Sequence, residues 1–545
     1  MSTESAESAF NDPDFGWRAE APRARWLAMS LFSWRAPGVT FIWACLAGIV
    51  FAAAAALSPA LLSFSPTTDM IGPVAEARAV LAGEAALAQQ ASPLHLILLM
   101  AGDLFADAPG RVHLVSKAVG AFLVFAPFAY LAATRFPAFF GVIATAALSA
   151  FAAAPYSGPA DLALALFLVA GAAFLTQSAD DAPGRAWGEG ALGGFLLFCL
   201  WLLHPVFALA GFVVLSVCPF VTGRHAIWRY AAALAVFIAL AAIAEFLAPG
   251  VNAARADGVT GVVRATSAFA ASESMLGLSG GAYGAALVIF SAAVFGGGAY
   301  WKNWAAAAGL MVAGLVAARI AGANALPVFA LAAGFACFSV QSPFYDGVFR
   351  HHDRASVSAA LTAAAMTLFW TGAVAVHAGG QFSLQYHVAK QAPADIRAEL
   401  ALVQPGGPTI AKWIEEGRFS TPEAREFLAL APVDQSAMLL EAASRARKLT
   451  AEGFDVAILT GADTACVLAE RRDCQADGPA AARKANVVFV PRLDLDPKTT
   501  EAKGRSEALL YTQFRLVEQT ALWDVWVRRD APAAAKFFPA AVAQH

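Results

Sequence analysis

Long apolar runs dominate the first 380 residues, and most can cross the roughly 30 Å hydrocarbon core of a membrane. They predict spanning helices near residues 39–62, 112–134, 138–154, 160–177, 191–221, 226–248, 281–299, 304–318, 325–340 and 357–378. The run at 191–221 exceeds one crossing and has basic residues beyond both ends, so we predict two short spans that turn at His204 and Pro205. The pattern predicts a polytopic α-helical membrane protein with about eleven spans.

Charges beside the first run predict its orientation. Basic residues precede this run, namely Arg18, Arg23, Arg25 and Arg35. Acidic residues follow it, namely Asp69, Glu76 and Glu84. Because basic residues accumulate on the cytoplasmic side, we expect residues 1–38 to form a cytoplasmic N-terminal segment. An odd number of spans then places everything after residue 379 outside.

Two sizeable loops are predicted on the outer side of the transmembrane domain, residues 39–379. In the first, residues 63–111, apolar positions from Val74 to Leu87 recur at helical spacing, which predicts an amphipathic helix lying on the membrane. Residues 94–104 form an apolar run too short to span, so we expect it to be re-entrant or interfacial. The second outer loop is predicted at residues 249–279.

From residue 380 the pattern becomes that of ordinary soluble protein. Helical patterns occupy 395–403, 409–416, 421–430 and 435–452. Runs rich in β-branched and aromatic residues follow at 455–459, 486–491 and 521–527, which predicts three strands. Residues 380–545 are therefore expected to form a separate soluble α/β domain on the periplasmic side.

Composition agrees with this pattern and narrows the classes of partner. The 545 residues are 59% hydrophobic and 14% charged with a net charge of -3, so the chain has no basic excess for nucleic acid. We expect lipids or small solutes as partners instead. Of the six cysteines, only Cys466 and Cys474 lie in polar sequence, and in an oxidising compartment they are expected to form a disulfide.

Short motifs in the first outer loop carry a resemblance to a known family. The loop reads SPTTD ending at Asp69, then the helix predicted from Val74, then ASPLHLILL with Pro93, then GRVHLVSKAVGAF with Arg111. Over residues 39–248 this order resembles the GT-C superfamily of membrane glycosyltransferases. The similar branch contains protein O-mannosyltransferases and lipid A aminoarabinose transferases. Met70 stands where that family often has glutamate after the first acid.

The resemblance implies roles for individual residues. Asp69 would be the catalytic base, and Asp161, which follows the short loop PYSGPAD, would bind a metal or the acceptor. His204 stands at the turn where the family often has a lysine that reaches the lipid phosphate. The implied activity is transfer of a sugar from a polyprenyl-phosphate-linked donor to an acceptor glycan, lipid or protein, at the outer face of a bacterial inner membrane. A divalent metal cofactor is left open.

Other basic residues are candidates on physical grounds. Lys117 lies two turns inside its predicted span, where an ammonium is costly unless it has a partner, which would be a lipid phosphate or an acid. We assign Lys117 and Arg111 to a donor phosphate. Arg255 and Arg264 flank Asp257 in the second outer loop and can clamp a phosphate. Ordinary explanations stay open: long cations snorkel, His204 can be interfacial, and both aspartates can cap helices.

Two other classes of function compete with the transferase. A GT-C-like scaffold without catalysis would bind lipid or protein partners through its outer domain, and Met70 after Asp69 favours this reading. A transporter would place ionisable residues near the middle of the membrane, whereas here they cluster at the outer ends of spans and in outer loops.

Overall fold

The computed structural model describes residues 37–62, 68–106, 109–136, 138–176, 183–221, 225–270, 301–338, 354–391, 439, 442, 445–446, 448–461, 464, 467, 477–492, 497–520 and 523–531. The chain divides into two compact units. The helical unit contains Met1–Ala53, Gly120–Ala153 and Ser157–Gly379. The mixed unit contains Ala54–Val119, Ala154–Tyr156 and Gly380–His545.

Helices make up most of the described chain up to residue 391. The first seven are α1 Pro37–Ala56, α2 Pro59–Leu62, α3 Thr68–Leu81, α4 Pro93–Asp103, α5 Pro109–Arg135, α6 Ala138–Ala153 and α7 Pro159–Leu175. The next seven are α8 Pro183–Leu203, α9 Pro205–Val221, α10 Ala226–Leu247, α11 Val251–Ala270, α12 Trp301–Ala321, α13 Leu326–Phe338 and α14 Arg354–Gln391.

The apolar helices make this a helical membrane-like protein. Among the described residues, α1, α5, α8 and α10 are long and apolar enough to cross a membrane. Only 11% of the most apolar window of α10 is buried, so most of that helix presents apolar side chains outward, as lipid contact requires. Shorter apolar helices of 10–17 residues include α6, α7, α9 and α13. Among the described residues, helix length and composition thus support four spans rather than the eleven expected. The predicted span at 281–299 lies outside the described residues.

Helix α7 forms the centre of the helical unit. Its residues from Leu162 to Leu175 are all buried, and α8, α9 and α12 pack around it. The long apolar run is interrupted at His204, which separates α8 from α9, so the predicted break at His204 and Pro205 is confirmed. Proline at the first position of α9 suits this arrangement, because its missing N–H is not needed there.

A four-stranded sheet lies in the mixed unit. Its strands are β1 Val456–Ile458, β2 Val487–Pro491, β3 Phe514–Gln519 and β4 Trp523–Arg528, in the order β1-β2-β4-β3. Strands β1 and β2 are parallel, and the other pairs are antiparallel. Helices α15 Gly478–Lys484 and α16 Pro497–Gln513 connect them. The predicted strands at 455–459, 486–491 and 521–527 are confirmed, and β3 is an additional strand.

The first outer loop contributes to the core of the mixed unit. Ile71, Val74 and Ala77 of α3 belong to the same buried cluster as Phe489 and Trp523 of the sheet. Further members of this cluster are Ala75, Leu96, Leu99, Val112, Leu439, Ala442, Ile458, Val487, Val525 and Val527. The predicted membrane-surface helix is therefore corrected: α3 begins at Thr68, ends at Leu81, and buries its apolar face in protein.

Two boundaries also differ from the sequence pattern. The loop predicted at residues 249–279 contains helix α11, whose alanine-rich and valine-rich sequence lacks a long apolar run. Helix α14 continues from Arg354 to Gln391 and so passes through residue 380, where the composition changes. The change of composition at residue 380 is thus not a change of backbone conformation.

Candidate functional site

Asp69 is the second residue of α3, in the mixed unit. Its side chain lies outside the described residues, but its neighbour Met70 is held in place. The ring atom Nε2 of His113, on α5, lies 3.1 Å from the carbonyl oxygen of Met70. A carbonyl oxygen only accepts, so His113 Nε2 carries the proton and donates it. The first turn of α3 is therefore tied to α5.

Pro73 explains why the first turn of α3 needs a hydrogen bond from another helix. It lies inside α3, four residues after Asp69. Proline has no N–H, so the carbonyl of Asp69 cannot receive the usual helical hydrogen bond from residue 73. The hydrogen bond from His113 to the next carbonyl compensates for a locally weakened helix.

Polar side chains of α4 and α5 form a cluster around the hydrogen bond between His113 and Met70. Ser116 Oγ lies 3.3 Å from Nδ1 of His95, and the rings of His95 and His113 are 6.4 Å apart. Lys117 is buried, one helical turn after His113. We call His95, His113, Ser116 and Lys117 the His–Lys cluster.

The electrostatics of the His–Lys cluster favour an anion. Desolvation, with a smaller contribution from Lys117, lowers the pKa of His95 to about 4. His95 is therefore neutral at pH 7, and Lys117 supplies positive charge near its ring. Arg111 differs: its side chain is exposed at the start of α5, away from the buried part of the cluster.

His204 and Arg255 are brought together in the helical unit. The ring of His204 lies 5.8 Å from that of Phe207, and its Nδ1 atom is buried with no hydrogen-bond partner among the described residues. Arg255, on α11, is also buried. Desolvation and then the positive charge of Arg255 lower the pKa of His204. A neutral imidazole beside a guanidinium can bind a phosphate through one hydrogen bond and one charge.

Two contacts hold helix α11 against the break between α8 and α9. The Nε1 atom of Trp201 donates to Oδ1 of Asn252 at 3.0 Å. A side chain added at Gly258 would place its Cβ 3.3 Å from Cγ of Pro205, so the absence of a side chain lets α11 approach the break closely. Arg264 belongs to the same helix, but its side chain lies outside the described residues.

Asp161 has a different environment. One carboxylate oxygen accepts the backbone N–H of Gly158 at 3.0 Å, and the other accepts the backbone N–H of Asn324, also at 3.0 Å. The side-chain oxygen of Asn324 accepts from the N–H of Leu326, and its amide nitrogen lies 3.3 Å from Nε2 of His377. Asp161 therefore completes a capping box at the start of α7 and also holds the turn before α13.

These contacts do not fit a metal centre at Asp161. Both of its oxygens already accept N–H groups, and the oxygen of Asn324 does so too. Within the described ranges no three or more His, Cys, Asp and Glu side chains group closely enough to hold a metal ion. We therefore derive no step through a metal.

The remaining prediction concerns Cys466 and Cys474. Both lie outside the described residues, so their disulfide stays a prediction. The structure also adds residues that the sequence motifs did not single out: His95, His113, Asn324 and His377. A signal for the first two was present, because each histidine interrupts an apolar run beside Pro93 or Arg111, and His113 shares a helix face with Lys117.

No protein-family model matches the chain, and neither a curated protein nor a solved structure is similar to it.

Proposed function

We propose that this protein is a membrane glycosyltransferase that transfers a sugar from a polyprenyl-phosphate-linked donor to an acceptor at the periplasmic face of a bacterial inner membrane. The observation that supports this best is the His–Lys cluster. It ties the turn that carries Asp69 to α5 and contains the buried cation Lys117, one helical turn further along α5. A base held near a positive charge suits transfer from a phosphate ester.

In the proposed reaction the Asp69 carboxylate takes the proton of an acceptor hydroxyl. The acceptor oxygen attacks the anomeric carbon in line, forming one C–O bond while the bond from that carbon to the phosphate oxygen breaks. The electron pair leaves with the polyprenyl phosphate, and a single displacement inverts the anomeric configuration. The phosphate is a stable anion, so nearby cations stabilise its developing charge and no general acid is required.

We assign two basic groups to the donor phosphate, and the proposal needs only one of them. One is His204 with Arg255 in the helical unit, and the other is Lys117 in the mixed unit. Arg264 and the exposed Arg111 are assigned to the same role. The acceptor is a glycan, a lipid or a protein.

We further propose the full topology: eleven crossings, residues 1–38 in the cytoplasm, a transmembrane domain at 39–379 and a periplasmic domain at 380–545. Contacts within the helical unit support this topology, because helix ends that it assigns to the same side of the membrane lie close together. Asp161, Asn324 and His377, all predicted at outer ends, meet one another. Helices α7 and α9 have 17 residues each, which is about 25 Å of helix and enough for a crossing with slight thinning of the bilayer.

A non-catalytic scaffold is the second candidate. The observation in its favour is that both carboxylate oxygens of Asp161 accept hydrogen bonds from backbone N–H groups, as in a structural residue. Such a scaffold would bind lipid or protein partners without turnover.

Donor turnover separates the two candidates. The full-length protein in liposomes is supplied with a panel of polyprenyl-phosphate hexoses and pentoses and candidate acceptor sugars, and release of polyprenyl phosphate is measured. We expect Asp69→Asn to lower turnover by about 10²-fold or more while lipid binding is retained. Glu84→Gln, an exposed carboxylate of the same loop, is the matched control. Turnover by Asp69→Asn at the parental rate would refute the role of Asp69, and donor binding without any turnover would favour the scaffold.

A further inference from the structure

Four charged side chains that are not assigned to transfer meet in the interior of the helical unit. Glu189 of α8 places Oε2 at 2.6 Å from Nη2 of Arg135 and at 2.8 Å from Nη2 of Arg229. Its other oxygen lies 3.2 Å from Nε of Arg185. We call these four residues the arginine cluster. Among them only Arg185 is partly exposed, at 12%.

The arginine cluster is built into the helix packing. Arg135 donates from Nη1 to the carbonyl oxygen of Ala172 at 2.7 Å and to Oγ1 of Thr176 at 2.9 Å, and Arg229 donates to the carbonyl oxygen of Thr176. The C-terminal end of α7 is thereby joined to α5 and α10. A Cβ atom on Gly190 would lie 2.3 Å from the carbonyl oxygen of Arg229, so only glycine permits this approach of α8 and α10.

Charge within the arginine cluster does not balance. Three guanidinium groups face one carboxylate, which leaves an excess of two positive charges among the described residues. The Nε atoms of Arg135 and Arg229 are also buried without a hydrogen-bond partner in the part of the chain that the structure describes. Buried charge and buried N–H groups without acceptors are costly, so a counter-anion is expected here.

Two tryptophans indicate the depth of the cluster in the membrane. Trp187 on α8 and Trp228 on α10 lie 5.9 Å apart, both exposed, and each is within two residues of a cluster member. Exposed tryptophan is typical of the membrane interface, where lipid head groups lie. Partly exposed Arg185 gives the cluster access to that layer.

We infer that the arginine cluster binds the phosphate of an anionic membrane phospholipid at this end of the helical unit. Guanidinium groups match phosphate oxygens in geometry and charge. The inference does not depend on the proposed transferase activity, because no residue of this cluster takes part in the proposed reaction.

The sequence offers one competing source of negative charge. Asp180 and Asp181 lie between α7 and α8, outside the described residues, and their carboxylates are the obvious alternative counter-ions. The experiment therefore has to distinguish lipid phosphate, free phosphate and these two side chains.

The experiment uses the purified, delipidated full-length protein. Binding of phosphatidylglycerol, phosphatidylcholine and inorganic phosphate is measured by native mass spectrometry and by the shift in thermal unfolding temperature. Arg229→Gln removes a buried cluster charge, and Arg185→Gln removes the partly exposed one with less risk to folding. Arg319→Gln, an exposed arginine at the end of α12, is the matched control. The double variant Asp180→Asn/Asp181→Asn tests the alternative.

We expect phosphatidylglycerol to bind the parent and Arg319→Gln equally, and to bind Arg185→Gln and Arg229→Gln about tenfold more weakly. Phosphatidylcholine, which has no net charge, should bind more weakly than phosphatidylglycerol. Equal affinity of the parent and the Arg185→Gln variant would overturn the inference. Stabilisation by inorganic phosphate equal to that by phosphatidylglycerol would overturn the lipid assignment, and binding that appears only in the double aspartate variant would show that those carboxylates occupy the cluster.

Discussion

Nη2 of Arg78 lies 2.8 Å from Oδ1 of Asp103, and both side chains are almost fully buried in the mixed unit. Arg78 belongs to α3 and Asp103 ends α4, so the pair joins the two helices of the first outer loop. Arg78 also donates to the carbonyl oxygen of Val467, a residue of the C-terminal region. One side chain thus links three segments that are distant in sequence.

Removing one partner of this pair is expected to destabilise the mixed unit strongly. Asp103→Ala leaves the Arg78 guanidinium buried without its carboxylate, which costs about 3 kcal/mol or more. The double variant Arg78→Met/Asp103→Leu removes both charges and should recover most of that loss. Thermal unfolding in detergent measures both. Equal destabilisation by the single and the double variant would show that the charge of the pair is not the cause.

Acidification is expected to destabilise the protein through His95. Its folded-state pKa of about 4 lies below the ordinary value near 6.5, so the unfolded chain binds the proton more readily. The stabilisation is fully present above pH 6.5 and is lost as the pH falls toward 4, by up to about 3 kcal/mol. Denaturant unfolding at pH 7 and pH 4.5 should show a smaller pH difference for His95→Gln than for the parent. An unchanged difference would mean that His95 does not titrate in this way.

Cys466 and Cys474 are expected to be oxidised to each other. The protein is extracted from its native membrane without reductant and treated with an alkylating reagent. Neither cysteine should be modified before reduction, and both should be modified after it. Cys45 and Cys199 are thiols outside any disulfide and provide the internal reference. Alkylation of both cysteines before reduction would contradict the disulfide and the periplasmic placement together.

Fusion reporters test the proposed topology. A C-terminal reporter that is active only in the cytoplasm should be silent, and fusions near Arg185 and Arg224 should both be active. Cytoplasmic activity of the C-terminal fusion would mean that the number of crossings is even. Silence of the Arg185 fusion alone would mean that an odd number of crossings precedes Arg185 and that residues 191–221 cross the membrane once.

Local signals account for the features that the sequence predicted well. His204 and Pro205 interrupt the apolar run, and the basic residues on both sides require a turn there. Strands β2 and β4 are rich in β-branched and aromatic residues. Strand β3 was missed because its sequence, FRLVEQ, mixes polar and apolar residues and contains a register shift at Leu516 and Glu518.

Features that depend on distant partners could not be predicted in the same way. The apolar stripe of α3 fits either a membrane surface or a protein core, and only the residues from the C-terminal sheet decide between them. The apolar spacing also predicted a helix from Val74, whereas the helix begins at Thr68 and passes through Pro73. Arg185 and Glu189 lie one helical turn apart, but no local pattern showed that Glu189 also contacts Arg135 and Arg229.

The shared core of the mixed unit has a consequence for biosynthesis. Val112 of α5 and Leu439 belong to one buried cluster, yet more than three hundred residues separate them in the chain. At the usual rate of translation, the later segment emerges roughly 20 to 60 seconds after the earlier one. During this interval Ile71, Val74 and Leu96 have no sheet to cover them. The apolar face of the newborn first loop therefore lacks its protein partner until the C-terminal sheet has been synthesised.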